Sequence, residues 1–146
     1  MNKLIKAFFL MAAAVLLSSC DPNKADEEKK EYYLSQSRDA ALCGWWKIES
    51  IDGNGKDWSQ YANYSQDGVV YRSDYDSNGD LYFPSYEVFY WYADSQKIYE
   101  FYYTGSSSDS SFESSVYYRL DGDTLTVSPD SSFINTIVAV RSERPE

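Results

Sequence analysis

From residue 43 onward, apolar and polar positions alternate with a period of two, and turn clusters interrupt the alternation at short intervals. The segment "CGWWKIESI" (43–51) reads as a strand ending at "DGNG". "GVVYRSDY" (68–75) reads as another, ending at "DSNG", and "DLYF" (80–83) is stopped by Pro84. "SYEVFYWYA" (85–93) and "KIYEFYYT" (97–104) are joined by "DSQ", and "SVYYRL" (115–120) meets "TLTVS" (124–128) across "DGD". "FINTIVAVR" (133–141) closes the set. About eight short strands with next-neighbour hairpins predict an all-β chain, folded as a small antiparallel up-and-down β-barrel or a strongly curled sheet. Closure would remove the exposed edges of such adhesive strands.

The chain before residue 43 follows a different pattern. Lys3 and Lys6 precede an apolar run from Ala7 to Leu17, and the small residues Ser18 and Ser19 lead to Cys20. A positive end, a short apolar region and small residues form the layout of a secretory signal. The run would make a helix of roughly 16 Å, short against a hydrocarbon core of about 30 Å, which disfavours a membrane span. Residues 21–31, "DPNKADEEKKE", are charged and without apolar periodicity, so they read as a flexible tether. A short helix is expected over 31–42.

The ending Leu17-Ser18-Ser19-Cys20 resembles the bacterial lipobox. That resemblance implies a diacylglycerol on the Cys20 thiol, cleavage before Cys20 and an acyl chain, palmitate for example, on the new amino group. The expected parts are a signal peptide (1–19), a lipidated cysteine with tether and short helix (20–41) and a barrel domain (42–146). Each buried CH₂ contributes about 0.8 kcal/mol, so several long chains anchor a protein almost permanently. The implied location is the cell envelope, with the outer membrane favoured. Asp26, Glu27 and Glu28 resemble the acidic surface-export signal of some bacteria, whereas Asp21 resembles an inner-membrane retention signal.

Charge and composition narrow the function. Lys3 and Lys6 are two of 13 basic residues and residues 1–19 hold no acid, so the remainder stands at 11 basic against 23 acidic, or −12. A nucleic-acid partner, which needs basic patches, is not expected. With Cys20 acylated, Cys43 has no disulfide partner and is expected to be a small buried residue. The chain has no histidine. Ser-His-Asp and Cys-His catalysis and the usual zinc sites are thereby excluded, leaving carboxylates for any enzyme.

A second resemblance lies in "LCGWWK" at 42–47, which looks like the opening of lipocalin-like domains, with Gly44-x-Trp46 as the Gly-x-Trp motif. The hairpin of residues 116–127 is similar to that family's late hairpin. The resemblance spans about 42–142. It implies that Trp46 plugs the closed end and that an arginine after the last strand packs across it, Arg141 first and Arg144 in reserve. It assigns Gly44, Trp46 and Arg141 to structure. Trp45 departs from the pattern, and one of the two adjacent indoles must point outward.

Three features could carry function. The chain has 15 tyrosines, four tryptophans and seven phenylalanines, and both faces of 85–93 and 97–104 are bulky. Tyr86, Tyr90, Trp91, Tyr92, Tyr99 and Tyr103 are therefore candidates to line a pocket for an apolar or sugar-like ligand, although tyrosine also suits half-buried strands. Asp74, Asp76, Asn78 and Asp80 fit the start of a calcium loop, but Ser85 stands where the bidentate glutamate belongs, and Asn78-Gly79 is a strong hairpin turn. No metal or other cofactor is otherwise expected. The serine-rich tract 105–115 reads as a loop.

The expected function is binding by a lipid-anchored barrel, without catalysis. The alternative is an accessory subunit of an envelope complex, docking a protein partner through its aromatic surface. On this reading Cys20→Ser abolishes incorporation of radiolabelled fatty acid, and unchanged labelling contradicts it.

Overall fold

Ten strands and one helix are present among the described residues, and eight of the strands close on themselves. The computed structural model describes residues 23–84, 89–103, 105 and 111–145. The strands are β1 (Gly44–Ile51), β2 (Asn54–Gly55), β3 (Ser59–Tyr64), β4 (Val69–Tyr75), β5 (Leu81–Pro84), β6 (Phe89–Ala93), β7 (Lys97–Tyr102), β8 (Phe112–Asp121), β9 (Thr124–Ser128) and β10 (Ile137–Ser142). Hydrogen-bonded neighbours run β1-β3-β4-β6-β7-β8-β9-β10, every pair antiparallel, and β10 returns to β1. The result is a closed antiparallel eight-stranded barrel. Short β2 extends the turn after β1, and β5 pairs with β4 outside the closed ring.

The expected strands are present, with two additions. β2 falls within "DGNG", and β3 occupies 59–64, where no strand was expected. β3 was illegible because its inward positions, Gln60, Ala62 and Tyr64, include a polar residue and a small one. β8 begins at Phe112, inside the serine-rich tract, so residues 112–115 are strand and not loop. The cysteine Cys20 and the signal and lipobox positions lie outside the described residues.

The up-and-down order gives the barrel two distinct ends. Segments 36–43, 65–68, 94–96 and 122–123 gather at one end, and β1, β4, β7 and β9 finish at the other. Trp46 seals the first end. It is buried, and its Nε1 donates to the carbonyl of Leu42 at 2.8 Å. Arg141 is its register partner on β10, and the guanidinium carbon lies 3.9 Å from the indole centroid. The same guanidinium donates to the carbonyls of Cys43 and Ala41, both at 2.6 Å. Gly44 has φ +119°, and a Cβ there would come within 2.9 Å of Arg141 Nη1. Gly44, Trp46 and Arg141, grouped by the lipocalin-like resemblance, are in direct contact.

The helix α1 (Lys24–Ser35) starts well before the expected 31–42 and includes most of the segment read as tether. Its stability comes from docking, since its sequence has almost no apolar face beyond Tyr32, Tyr33 and Leu34. Tyr33 is 3% exposed and packs its ring against Tyr92 and Phe101, with centroids 4.9 and 5.6 Å away. Its hydroxyl donates to Glu113 Oε1 at 3.0 Å, and Lys29 Nζ meets Glu113 Oε2 at 2.6 Å. Tyr103 donates to Glu27 and Ser111 to Asp26 near the start of the helix. At its end, Arg38 donates to the carbonyls of Tyr33, Leu34 and Trp91 and so binds α1 to β6. The backbone at Gly68, φ +93°, passes so close that a Cβ would collide with Arg38 and Leu34.

The two bulky faces of β6 and β7 thus serve two cores. Phe89, Trp91, Ala93 and Ile98 point into the barrel, while Phe101, Tyr90, Tyr92, Tyr99 and Tyr103 form an outer layer with Tyr33. Truncating Tyr33 to alanine removes the centre of that layer, with an expected cost of about 3–5 kcal/mol in urea denaturation. Glu113 is held below its ordinary value of 4.5, chiefly by its hydrogen bond with Lys29. A lowered carboxylate adds stability above the unfolded pKa and loses it as pH falls through the folded one. The stability gap between wild type and Glu113→Gln is therefore expected at neutral pH and should close below pH 4.5.

Candidate functional site

The inward-facing residues above the Trp46 plug do not fill the barrel. They enclose a cavity of about 480 Å³. Its floor and walls come from Trp46, Ile48, Ala62, Leu125, Val127 and Ala139 on β1, β3, β9 and β10, with Phe89 and Ile98 opposite. Phe112, Ser114 and Ile137 stand towards the end away from Trp46. The volume falls within the range of about 300–1,000 Å³ usual for small-molecule sites.

One polar group interrupts this apolar lining. Strand alternation directs Arg72 of β4 and Glu100 of β7 inward, and Arg72 Nη2 meets Glu100 Oε2 at 2.6 Å. Tyr64, at the end of β3, donates to the other carboxylate oxygen at 2.7 Å. Glu100 is only 8% exposed, so both of its oxygens are engaged where water is scarce. Burial pushes the Tyr64 hydroxyl well above its usual 10, and the Glu100 charge adds to the shift. It stays a protonated donor across the physiological range. The Arg72 guanidinium also lies 4.3 Å from the Phe89 centroid, a cation–π contact that holds its plane along the wall. A charge pair satisfied in this way can hydrogen-bond the polar end of a ligand whose remainder contacts the apolar wall.

A second polar pair stands further from the plug. Gln60 lines the cavity and accepts from Lys56 Nζ at 2.9 Å. Lys56 is lowered by burial, against the opposing pull of the Asp74 charge. Asp74 pairs with Gln60 across β3–β4, and its Oδ1 is buried without a hydrogen-bond partner among the described residues.

The aromatic candidates are placed elsewhere. Tyr90, Tyr92, Tyr99 and Tyr103 lie on the outer face, under or beside α1, and do not line the cavity. Trp91 points inward but is fully buried at the closed end, edge-on to Tyr64 and donating to the carbonyl of Ser65. It supports the site from below. Tyr86 lies outside the described residues. The pocket assignment therefore moves from the tyrosines to Arg72, Glu100, Tyr64 and the aliphatic wall. The signal for Glu100 was present, because it shares a face with Ile98, and a charge on an apolar face requires a partner. Arg72 could be matched to it only once β4, β6 and β7 were in register.

The acidic segment 74–80 forms a tight turn. Asp76 Oδ1 accepts from the backbone N–H groups of Asn78 and Asp80 at 2.8 and 2.9 Å, and Gly79 has φ +84°. Among the described residues, no three His, Cys, Asp or Glu side chains come together as metal ligands. The Cys43 thiol is half-buried, and its Sγ lies 3.1 Å from Gln66 Oε1. Burial raises it above its usual 9.0, which leaves it a poor nucleophile. Compared with known proteins, the chain matches no family model and no curated sequence.

Tyr64→Phe leaves one oxygen of buried Glu100 without its donor. The expected loss is about 1–3 kcal/mol of stability in urea, and an unchanged midpoint would show that the hydroxyl contributes nothing.

Proposed function

We propose that the barrel is a binding module for a small amphipathic ligand, held inside by its apolar part and oriented by its polar end against Arg72, Glu100 and Tyr64. The observation that carries this reading is the unfilled interior of about 480 Å³ with a satisfied charge pair in its wall. A barrel serving only as a scaffold gains stability by filling that space, since voids forfeit dispersion contacts. A mainly apolar lining with a few fixed polar groups is the general form of a small-molecule site.

On the same reading the protein is a lipoprotein of the cell envelope, anchored through Cys20, with the outer membrane favoured. It acts by binding and not by catalysis. The alternative, an accessory subunit docking through its aromatic surface, receives less support. The outer aromatic layer on β6 and β7 is already covered by α1, and a protein partner would have to displace the helix.

Titration with the neutral apolar fluorophore N-phenyl-1-naphthylamine tests the reading. Saturable single-site enhancement is expected. Ala62→Phe and Val116→Phe, which place rings in the cavity, should each weaken it at least about tenfold, or 1.4 kcal/mol. Enhancement that does not saturate, or that folded filled variants retain, would sink the proposal.

A further inference from the structure

The helix that follows the proposed anchor starts at a defined end of the barrel. Glu27 accepts from Tyr103, and Asp26 from Ser111, the residues flanking the β7–β8 connection. Tyr103 and Ser111 stand at the end away from Trp46, the end at which Phe112 and Ile137 line the cavity and which we take as its mouth. α1 then runs down the outside of β6 and β7, past Phe101 and Tyr92, to the closed end, where Arg38 meets the carbonyl of Trp91. Cys20 precedes Asn23 by three residues, a reach of at most about 11 Å at 3.6 Å per residue. A lipid on Cys20 would therefore be tethered within that reach of the helix start, at the mouth end of the barrel.

The mouth also has an apolar rim. Six large hydrophobic residues are exposed among those described, and four of them stand at this end: Ile51 at the end of β1, Trp58 before β3, Phe112 at the start of β8, and Ile134, 79% exposed, between β9 and β10. They come from four separate places in the chain. The other two, Tyr32 and Tyr71, lie on α1 and β4. The connections of the closed end contribute none among the described residues. Isolated exposed hydrophobics need no explanation, but their gathering at one end, beside the anchor, does. Trp58 is of the type that favours the lipid–water interface, and Lys56 Nζ sits 3.1 Å above its ring centroid.

We infer that the barrel stands mouth-down on the membrane that carries its anchor, with Ile51, Trp58, Phe112 and Ile134 against lipid, so that the cavity loads from the bilayer. This rests on the proposed anchoring at Cys20 and deepens the binding reading: the ligand is membrane-resident, a single-chain amphiphile or similar lipid. The exposed rim acids Asp52, Asp57, Asp80 and Asp130 select a zwitterionic surface over an anionic one.

The test attaches the chain from Cys20 onward, carrying Cys43→Ser, through the Cys20 thiol to a maleimide-headgroup lipid. The vesicles are phosphatidylcholine with brominated acyl chains, which quench nearby indoles. Loss of emission from Trp58 is expected, measured as the difference from Trp58→Phe. A reporter at the opposite end, Ser95→Trp in the Trp58→Phe background, should keep its emission. Quenching of the Ser95→Trp reporter, or of neither, would overturn the orientation; quenching of neither would leave the mouth free for a protein partner. Intact mass of the chain purified from its own membranes tests acylation separately. The chemical tether supplies the anchor in either case, so failure of the lipoprotein reading and failure of the orientation are distinguishable.

Discussion

The pairing of β1 with β10 is the constraint on which the rest of the structure depends. It converts a meander into a ring, leaving neither strand with an open edge, and it creates an inside. The contact of Arg141 with Trp46 fixes that pairing at one end. A guanidinium over an indole contributes about 0.5–2 kcal/mol, modest beside the burial of the strands. Its specificity comes from the two carbonyls that Arg141 holds and from the missing side chain at Gly44. With Trp46 plugging one end, the cavity is the space left among the inward faces of the eight strands.

Two cores share a sheet, and this explains the aromatic surplus. A half-buried antiparallel sheet normally shows one apolar face. β6 and β7 show two because the barrel interior takes one and α1 the other. Tyrosine suits the outer layer, since its ring packs while its hydroxyl reaches the carboxylates of a charged helix. Tyr33 on Glu113 and Tyr103 on Glu27 both work in this way. A strongly charged helix without a broad apolar face is thereby held to an aromatic surface.

The legible parts of the fold were those with strict period-two patterning and clear turns, and these include the plug. Gly44, Trp46 and Arg141 lie at the two ends of the sequence-visible domain, and each has a residue type that its position requires. The helix was illegible before residue 31 because "KADEEKKE" has no apolar stripe, and its docking depends on partners some 80 residues away in sequence. The proposed pocket differs from the expected one for a related reason. Composition pointed to tyrosines, the residue most abundant in the strands, but register sent Tyr90, Tyr92, Tyr99 and Tyr103 outward. The informative residues of the cavity wall were the few charges on inward faces, Arg72 and Glu100, and the pairing of β4 and β7 with β6 brings them to 2.6 Å.

The most direct measurement is native mass spectrometry of the protein purified from its own membranes, compared with the same sample denatured. The account predicts one additional small mass in the native spectrum that is lost on denaturation, since the cavity should retain its occupant. A native mass equal to the denatured mass, from a sample shown to be folded, would contradict the claim that the barrel interior is a binding site.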